Sequence, residues 1–294
     1  MSIPLEDLSV THHNDVYSAI DPAIHFGQQT YKDKVVFVTG ASRGIGQEIA
    51  TFYAKAGATV ILVARQSAAL DEVREGILKL VPGAQLATLV ADVTSVKEVQ
   101  TAVDDAVRKF GKLDIVVANA GKAEPMDEHH SLTQEDPDDW WRTMEVNVRG
   151  VYNVAHFSLP YLDKTSGYFV IISSSAAQMR APFASAYCIS KHAVGRLNEF
   201  VKIEHPNVKS IALHPGGILT AMSARIPQVA AYLTDTLQLP AGTTLQLTSG
   251  RFDWLNGRYV SANWDLEELE LVWKEKIIAN EALVSRLAVP VEIP

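Results

Sequence analysis

The chain has 294 residues, 47% of them apolar and 20% charged, with a formal net charge of −8. So much apolar content can bury a large core, which excludes disorder as the default state, and the length suits one α/β domain with extensions. The acidic balance and the absence of any run of Lys or Arg argue against a nucleic-acid partner.

The single cysteine, Cys188, rules out an internal disulfide and a cysteine-based zinc site. The pairs His12–His13 and His129–His130 lack metal-ligand spacing, so no metal is expected. The opening MSIPLEDLSV, acidic at Glu6 and Asp7, does not read as a secretory signal. Apolar runs such as 35–38 and 115–118 fall far short of a bilayer span. The expectation is a cytoplasmic protein without membrane contact.

In chain order, residues 1–31 are polar and without period, and are read as an N-terminal arm packing on a neighbouring subunit. From Lys34 short β-branched runs alternate with helical stretches. VVFVTG precedes a helix over 47–55, TVILVA a helix over 68–80, and AQLATLVADV a helix over 96–110. LDIVVANAG leads to one helix from Asp138 to about Tyr161, GYFVIISS to a helix over 187–204, and VKSIALHPGG follows. Strands apolar on consecutive residues are buried on both faces, which calls for a parallel sheet covered by helices. The fold class is therefore α/β, a doubly wound Rossmann-type sheet in a single domain over 32–265. The acids from Asp127 to Asp139 around Pro137 suit a loop and a helix N-terminus. A C-terminal helical extension covers 266–294, with a stripe of Leu266, Leu269, Leu271, Val272, Trp273, Ile277 and Ile278 expected against a partner subunit, packing on its own subunit being the alternative.

The first strand enters Thr39-Gly40-Ala41-Ser42-Arg43-Gly44-Ile45-Gly46, and a helix follows at once. A strand–glycine turn–helix unit lets the backbone approach a pyrophosphate and aims the free N–H groups of a helix start at it. The spacing is G-x-x-x-G-x-G, not G-x-G-x-x-G, and a tight turn holding three glycines is the plainer alternative. At the end of the second strand an acid would bind a ribose 2′-hydroxyl and repel a 2′-phosphate. Ala64 and Arg65 stand there instead, and Arg65 with Arg43 could grip a phosphate. That favours NADP, with NAD as the alternative.

Tyr187 and Lys191 lie four apart on one helix face. An ordinary amphipathic face is the plain reading. The chemical reading is a phenol, normally near pKa ~10, made more acidic by the ammonium together with a positive nicotinamide ring, so that it can exchange a proton with substrate. Cys188, its neighbour, points elsewhere on the helix and is given no role.

TGASRGIG at 39–46, Asn119-Ala120-Gly121, Tyr187-x-x-x-Lys191 and Pro215-Gly216 occur in this order, and together they resemble the short-chain dehydrogenase/reductase family over roughly residues 32–265. The resemblance implies a catalytic set of Asn147, Ser174, Tyr187 and Lys191. It also implies that Gly40, Ser42, Arg43, Gly44, Ile45 and Gly46 hold the dinucleotide, that Asp92 and Val93 meet the adenine, and that Asn119, Ala120 and Gly121 bound the adenine ribose. Lys191 would bind the nicotinamide ribose, and Pro215, Gly216, Ile218 and Thr220 the carboxamide. The implied reaction moves hydride between the nicotinamide and an alcohol or ketone in a homodimer or homotetramer. Met222, Ile226, Val229, Tyr232, Leu233 and Leu237 suggest a lipophilic or aromatic substrate, or are plain core. Two departures stand out: Asn263-Trp264-Asp265 where the family usually has Asp-Gly-Gly, and the long tail after it. A dinucleotide-binding regulatory protein without chemistry, and an epimerase or dehydratase of the same family, are the competing readings.

Overall fold

Seven short strands, most of them apolar, form one parallel sheet in the computed structural model, which describes residues 7–125, 127–226 and 233–287. The strands are β1 (Val35–Thr39), β2 (Thr59–Ala64), β3 (Leu86–Val90), β4 (Ile115–Ala118), β5 (Tyr168–Ile172), β6 (Lys209–His214) and β7 (Arg258–Ser261). Their order is β3-β2-β1-β4-β5-β6-β7. The order reverses between β1 and β4, and in open α/β sheets the crevice beyond the strand ends at such a reversal is where ligands bind.

Alternate residues of each strand feed two cores. Val36, Val38, Leu62 and Val117 face one side, while Val35, Phe37, Val63 and Val116 face the other. The crossover helices are α2 (Gly44–Lys55), α3 (Ser67–Leu80), α4 (Val96–Phe110), α5 (Pro137–Met144), α6 (Gly150–Thr165), α7 (Ser185–Glu204) and α8 (Gln238–Leu247), preceded by a short α1 (Ala23–Gln28). Local chemistry sets their ends. Ser95 accepts the Glu98 N–H at the start of α4, and Gly111, at φ +79°, ends it. Asp136 caps α5 on the Asp138 N–H, with Pro137 in the first turn.

The single helix expected from Asp138 to about Tyr161 is in fact broken. A π-helical turn at Glu145–Arg149 separates α5 from α6, and the buried Asn147 sits in it. Such turns are rare and concentrate at functional sites. Here three hydrogen bonds on the Asn147 side chain hold the wider turn, and no Pro marks it in the sequence.

The arm expected on a neighbour packs on its own chain. Ile20 and Tyr31 are buried in the same core as Leu266, Leu269 and Ile277. Tyr17 donates to the Trp264 carbonyl at 3.0 Å, and His12 pairs with Trp264 as an isolated antiparallel bridge. The tail likewise folds back on its own core. It is helical over 266–279, with a second π-helical turn at Leu269–Trp273, and only Leu271, Val272 and Ile278 of its stripe remain exposed. Among the described residues no helix is long and apolar enough to cross a membrane.

Candidate active site

The glycine turn joins β1 to α2 in a conformation that needs its glycines. Gly40 (φ +64°) and Gly44 (φ +58°) are left-handed, and a Cβ on Gly46 would come within 2.5 Å of the Gly40 carbonyl. Arg43, at the N-cap of α2, makes no side-chain capping bond, so the helix start keeps free N–H donors as an anion cradle requires. Ser42 and Ile45 are half-buried and Arg43 is exposed. The turn, with no side-chain cap on its helix start, fits a dinucleotide pyrophosphate.

Asn119 braces this turn from β4. Its Nδ2 donates to the Thr39 and Gly40 carbonyls at 2.9 and 3.1 Å, and the Asn119 and Ala120 N–H groups both donate to the Thr39 hydroxyl. At the far end of the crevice Arg65, directly after β2, lies 4.0 Å from the Asp92 carboxylate after β3, and Arg142 of α5 lies 3.4 Å from it. Burial acts to raise Asp92, but two hydrogen bonds from Thr94 and the charges of Arg142 and Arg65 outweigh it and hold this carboxyl below its usual range. Val93 turns into the core against Gly150, where a Cβ would meet its Cγ2 at 2.6 Å. The Val93 carbonyl accepts from Asn153 at 2.8 Å.

The structure brings the four predicted catalytic residues into one neighbourhood. Ser174 lies beside the Tyr187 phenol and favours its ionised form, while the Ser173 hydroxyl is buried without a hydrogen-bond partner, so Ser174 is the serine that acts on the phenol. Lys191 is buried, donates to the Ile172 carbonyl at 2.7 Å and sits 5.6 Å from the Tyr187 ring centroid. Asn147 Oδ1 accepts the Lys122 N–H at 2.8 Å; its Nδ2 donates to the Lys122 carbonyl and to Ser190 on α7. Gly121 touches both groups, its missing Cβ lying 3.4 Å from Asn147 Oδ1 and 3.7 Å from Lys191 Nζ.

Lys191 by itself does not acidify Tyr187. Burial pushes the phenol above its ordinary value, outweighing the opposite effect of Ser174. Burial also pushes Lys191 down, to about 8. The ammonium lies against the ring and the Ile172 carbonyl, so desolvation governs both groups.

The loop after β6 closes over the glycine turn: Thr220 Cγ2 lies 3.8 Å from where a Gly44 Cβ would be. Pro215 is buried, and Gly216 is left-handed at φ +98°. Ile218 pairs with Asp235, and its carbonyl accepts from Ser223. Asp235 Oδ2 accepts from the Gly217 N–H and from Asn263 Nδ2. Ile226 is buried near this loop, whereas Val229 and Tyr232 lie outside the described residues.

Several residues of this framework were not anticipated. Asp235 and Asn263 tie the β6 loop, Lys122 and Ser190 anchor Asn147, and Glu124 accepts the Tyr187 N–H at 2.9 Å. Lys122 follows the Asn-Ala-Gly motif directly, which is the one local sign available. The others act across long separations in sequence.

A family profile described as short chain dehydrogenase matches residues 34–230. The chain belongs to the short-chain dehydrogenase/reductase family. It is 36% identical over 284 residues to the short chain dehydrogenase mpl6 of Monascus purpureus, covering 94% of each chain. Among solved structures it is similar to a short-chain type dehydrogenase/reductase from Mycobacterium marinum (TM-score 0.74, 25% identity, 82% of this chain and 97% of that one). It is also similar to an alcohol dehydrogenase from Thermococcus sibiricus complexed with 5-hydroxy-NADP (TM-score 0.68, 25% identity, 78% and 95%). This member of the family is an oxidoreductase acting on CH–OH or C=O groups, with a nicotinamide dinucleotide as the family's cofactor. The seven-stranded order described above is the family's Rossmann-type sheet.

Proposed function

We propose an NADP-dependent oxidoreductase that moves hydride between the nicotinamide and a secondary alcohol or ketone, with Tyr187 as the acid–base group. The observation that carries this reading is the placement of Ser174 beside the Tyr187 phenol, with the buried Lys191 ammonium against the same ring. Two hydroxyls so placed can hold one substrate oxygen between them. Tyr187, raised by burial, is protonated at neutral pH and donates to a carbonyl oxygen as it becomes a hydroxyl. In the reverse direction it takes that proton. Lys191 stabilises the phenolate that proton donation leaves, and Asn147 holds the strand-end loop at Lys122 against α7.

The nicotinamide, when bound, supplies or receives the hydride. Gly40, Ser42, Arg43, Gly44, Ile45 and Gly46 would hold the pyrophosphate at the start of α2. Asp92 and Val93 would flank the adenine, and Asn119, Ala120 and Gly121 would line the adjoining ribose site. Pro215, Gly216, Ile218 and Thr220 would hold the carboxamide, and Lys191 the nicotinamide ribose.

For the choice of NADP, the support is Arg65 directly after Ala64 at the end of β2, with no acid there. NAD is the second reading, favoured by the nearby Asp92 carboxylate, 4.0 Å from Arg65, which partly offsets the guanidinium's charge. A lipophilic or aromatic substrate is supported by exposed apolar side chains on loops flanking the site: Met179 and Phe183 between Ser174 and Tyr187, and Leu219 after β6. A homodimer or homotetramer belongs to the same reading, and the exposed Leu271, Val272 and Ile278 offer it an apolar surface. The test is NADPH consumption against a panel of lipophilic and aromatic ketones, with NADH in parallel. Turnover with NADPH and little with NADH is expected; no turnover with any ketone or secondary alcohol would overturn the reading.

A further inference from the structure

Helix α7 carries both Tyr187 and Lys191, yet nothing at its own start caps it. Ala184 stands at the N-cap with no side chain to offer, and none of the first-turn residues is acidic. Two residues from elsewhere hold that first turn. Trp140 of α5 donates its indole N–H to the Ser185 hydroxyl at 3.0 Å, and Glu124 Oε1 accepts the N–H of Tyr187 itself at 2.9 Å. Glu124 lies 63 residues from Tyr187, on the loop that leaves β4 just after Asn119-Ala120-Gly121.

Glu124 is unusual in its setting. It is only 3% exposed, and its second oxygen, Oε2, is buried without a hydrogen-bond partner. Glu135, on the same connection before α5, faces it with both carboxyl oxygens buried and unpartnered. Such groups are costly to bury and are seldom left without a reason. A carboxylate on the free N–H groups of a helix start is stabilised by those donors and by the helix dipole, which is one reason for this one to be there.

We propose that Glu124 is a positioning residue for the reaction: its carboxylate fixes the first turn of α7, and with it the Tyr187 hydroxyl against Ser174. This rests on Tyr187 being the acid–base group. Glu124 acts through the backbone of Tyr187 and also through its charge. The charged and titratable groups around it are Tyr187 and Cys188 on α7 and Glu135 on the connecting loop, with Lys122, His130 and Asp139 next to Glu135. Burial is the main cause raising Tyr187, and the Glu124 carboxylate adds to it. Glu135 is raised by burial first and by Glu124 second.

Two substitutions separate these effects. Glu124→Leu removes acceptor and charge, whereas Glu124→Gln keeps a carbonyl oxygen for the Tyr187 N–H and removes only the charge. The leucine variant is expected to lose at least about tenfold in kcat, with the dinucleotide KM within about twofold of the parent. The glutamine variant should recover most of that loss. It should also shift the rising basic limb of alcohol oxidation, which reports Tyr187 ionisation, to lower pH. In the protein without ligands, amide exchange in a peptide spanning 185–189 should be faster in the leucine variant than in the glutamine variant, so the assignment can be read without turnover. Should the leucine variant fail to fold, the glutamine variant's pH limb still decides. A leucine variant with parental kcat and exchange, or a glutamine variant with an unmoved limb, overturns the proposal. Tyr187→Phe is run alongside: if it keeps the parent rate, the acid–base reading itself has failed, and the Glu124 assignment with it.

Discussion

Asn119, just beyond β4, donates its side-chain amide to the carbonyl of Gly40 at 3.1 Å, so the fourth strand holds the glycine turn of the first in place. The same amide donates to Thr39 and would lie 2.4 Å from a Cβ on Gly46, so turn, helix start and β4 lock together. Asn119→Ala leaves two carbonyls unpaired, at about 1–3 kcal/mol. Urea denaturation should show that loss, and fluorescence titration should show weaker dinucleotide binding. Parental stability and affinity would mean that the turn holds its shape unaided.

Arg65 is expected to set cofactor choice. It is two-thirds exposed, so its 4.0 Å contact with Asp92 is worth little, and a 2′-phosphate can compete for it. Arg65→Asp should weaken NADPH binding by roughly ten- to a hundredfold, the worth of one charged hydrogen-bond partner. Asp92 would keep Arg142 as its partner. Equal affinities of the parent for NADPH and NADH would contradict this.

The pH dependence has a definite sign. Burial lowers Lys191 to about 8, so the ammonium is present below that pH and is lost as pH rises through it. Tyr187 is raised, so the proton needed for carbonyl reduction remains bound through neutrality. Ketone reduction should therefore be flat below neutrality and fall as pH passes about 8, while alcohol oxidation gains as the phenol ionises. Initial rates from roughly pH 6 to 10 span the Lys191 transition and check the reduction limb, and alcohol oxidation should still be rising at the top of that range because Tyr187 is raised. A reduction rate still climbing past the Lys191 transition would contradict the assignment.

Leu269 is fully buried in the tail helix, whereas Leu271, two residues on, is 77% exposed. Leu269→Ala should cost about 2–5 kcal/mol through lost burial and the cavity left behind. Leu271→Ser should stay within about 0.5 kcal/mol. Urea midpoints in the two variants decide the matter, and the reverse order would show that the tail presents its other face to the core.

The sheet was legible because strands such as β1, β2 and β4 are β-branched, apolar runs, and the glycine turn because its glycines follow a strand and lead a helix. Tyr187 and Lys191 were legible from their spacing and Ser174 through the family resemblance, and the three lie together in the structure. What the sequence hid depends on distance and desolvation. Asp235 tying Gly217 to Asn263, Trp140 on Ser185 and Glu124 on Tyr187 join residues too far apart for any local pattern. The four-residue spacing put a cation near Tyr187, but it could not show that burial would raise the phenol and lower the lysine. The tail stripe was visible, but which core it covers is a matter of tertiary packing alone.

The central claim is that the Tyr187 hydroxyl carries the proton of the reaction. Its most direct test is the turnover of Tyr187→Phe with a ketone the parent reduces, measured by NADPH absorbance beside a fluorescence titration of the cofactor. The account predicts cofactor affinity within about twofold of the parent and a rate lower by at least about a hundredfold, the scale of general acid catalysis. A phenylalanine variant that binds the cofactor and keeps half the parent rate would contradict it.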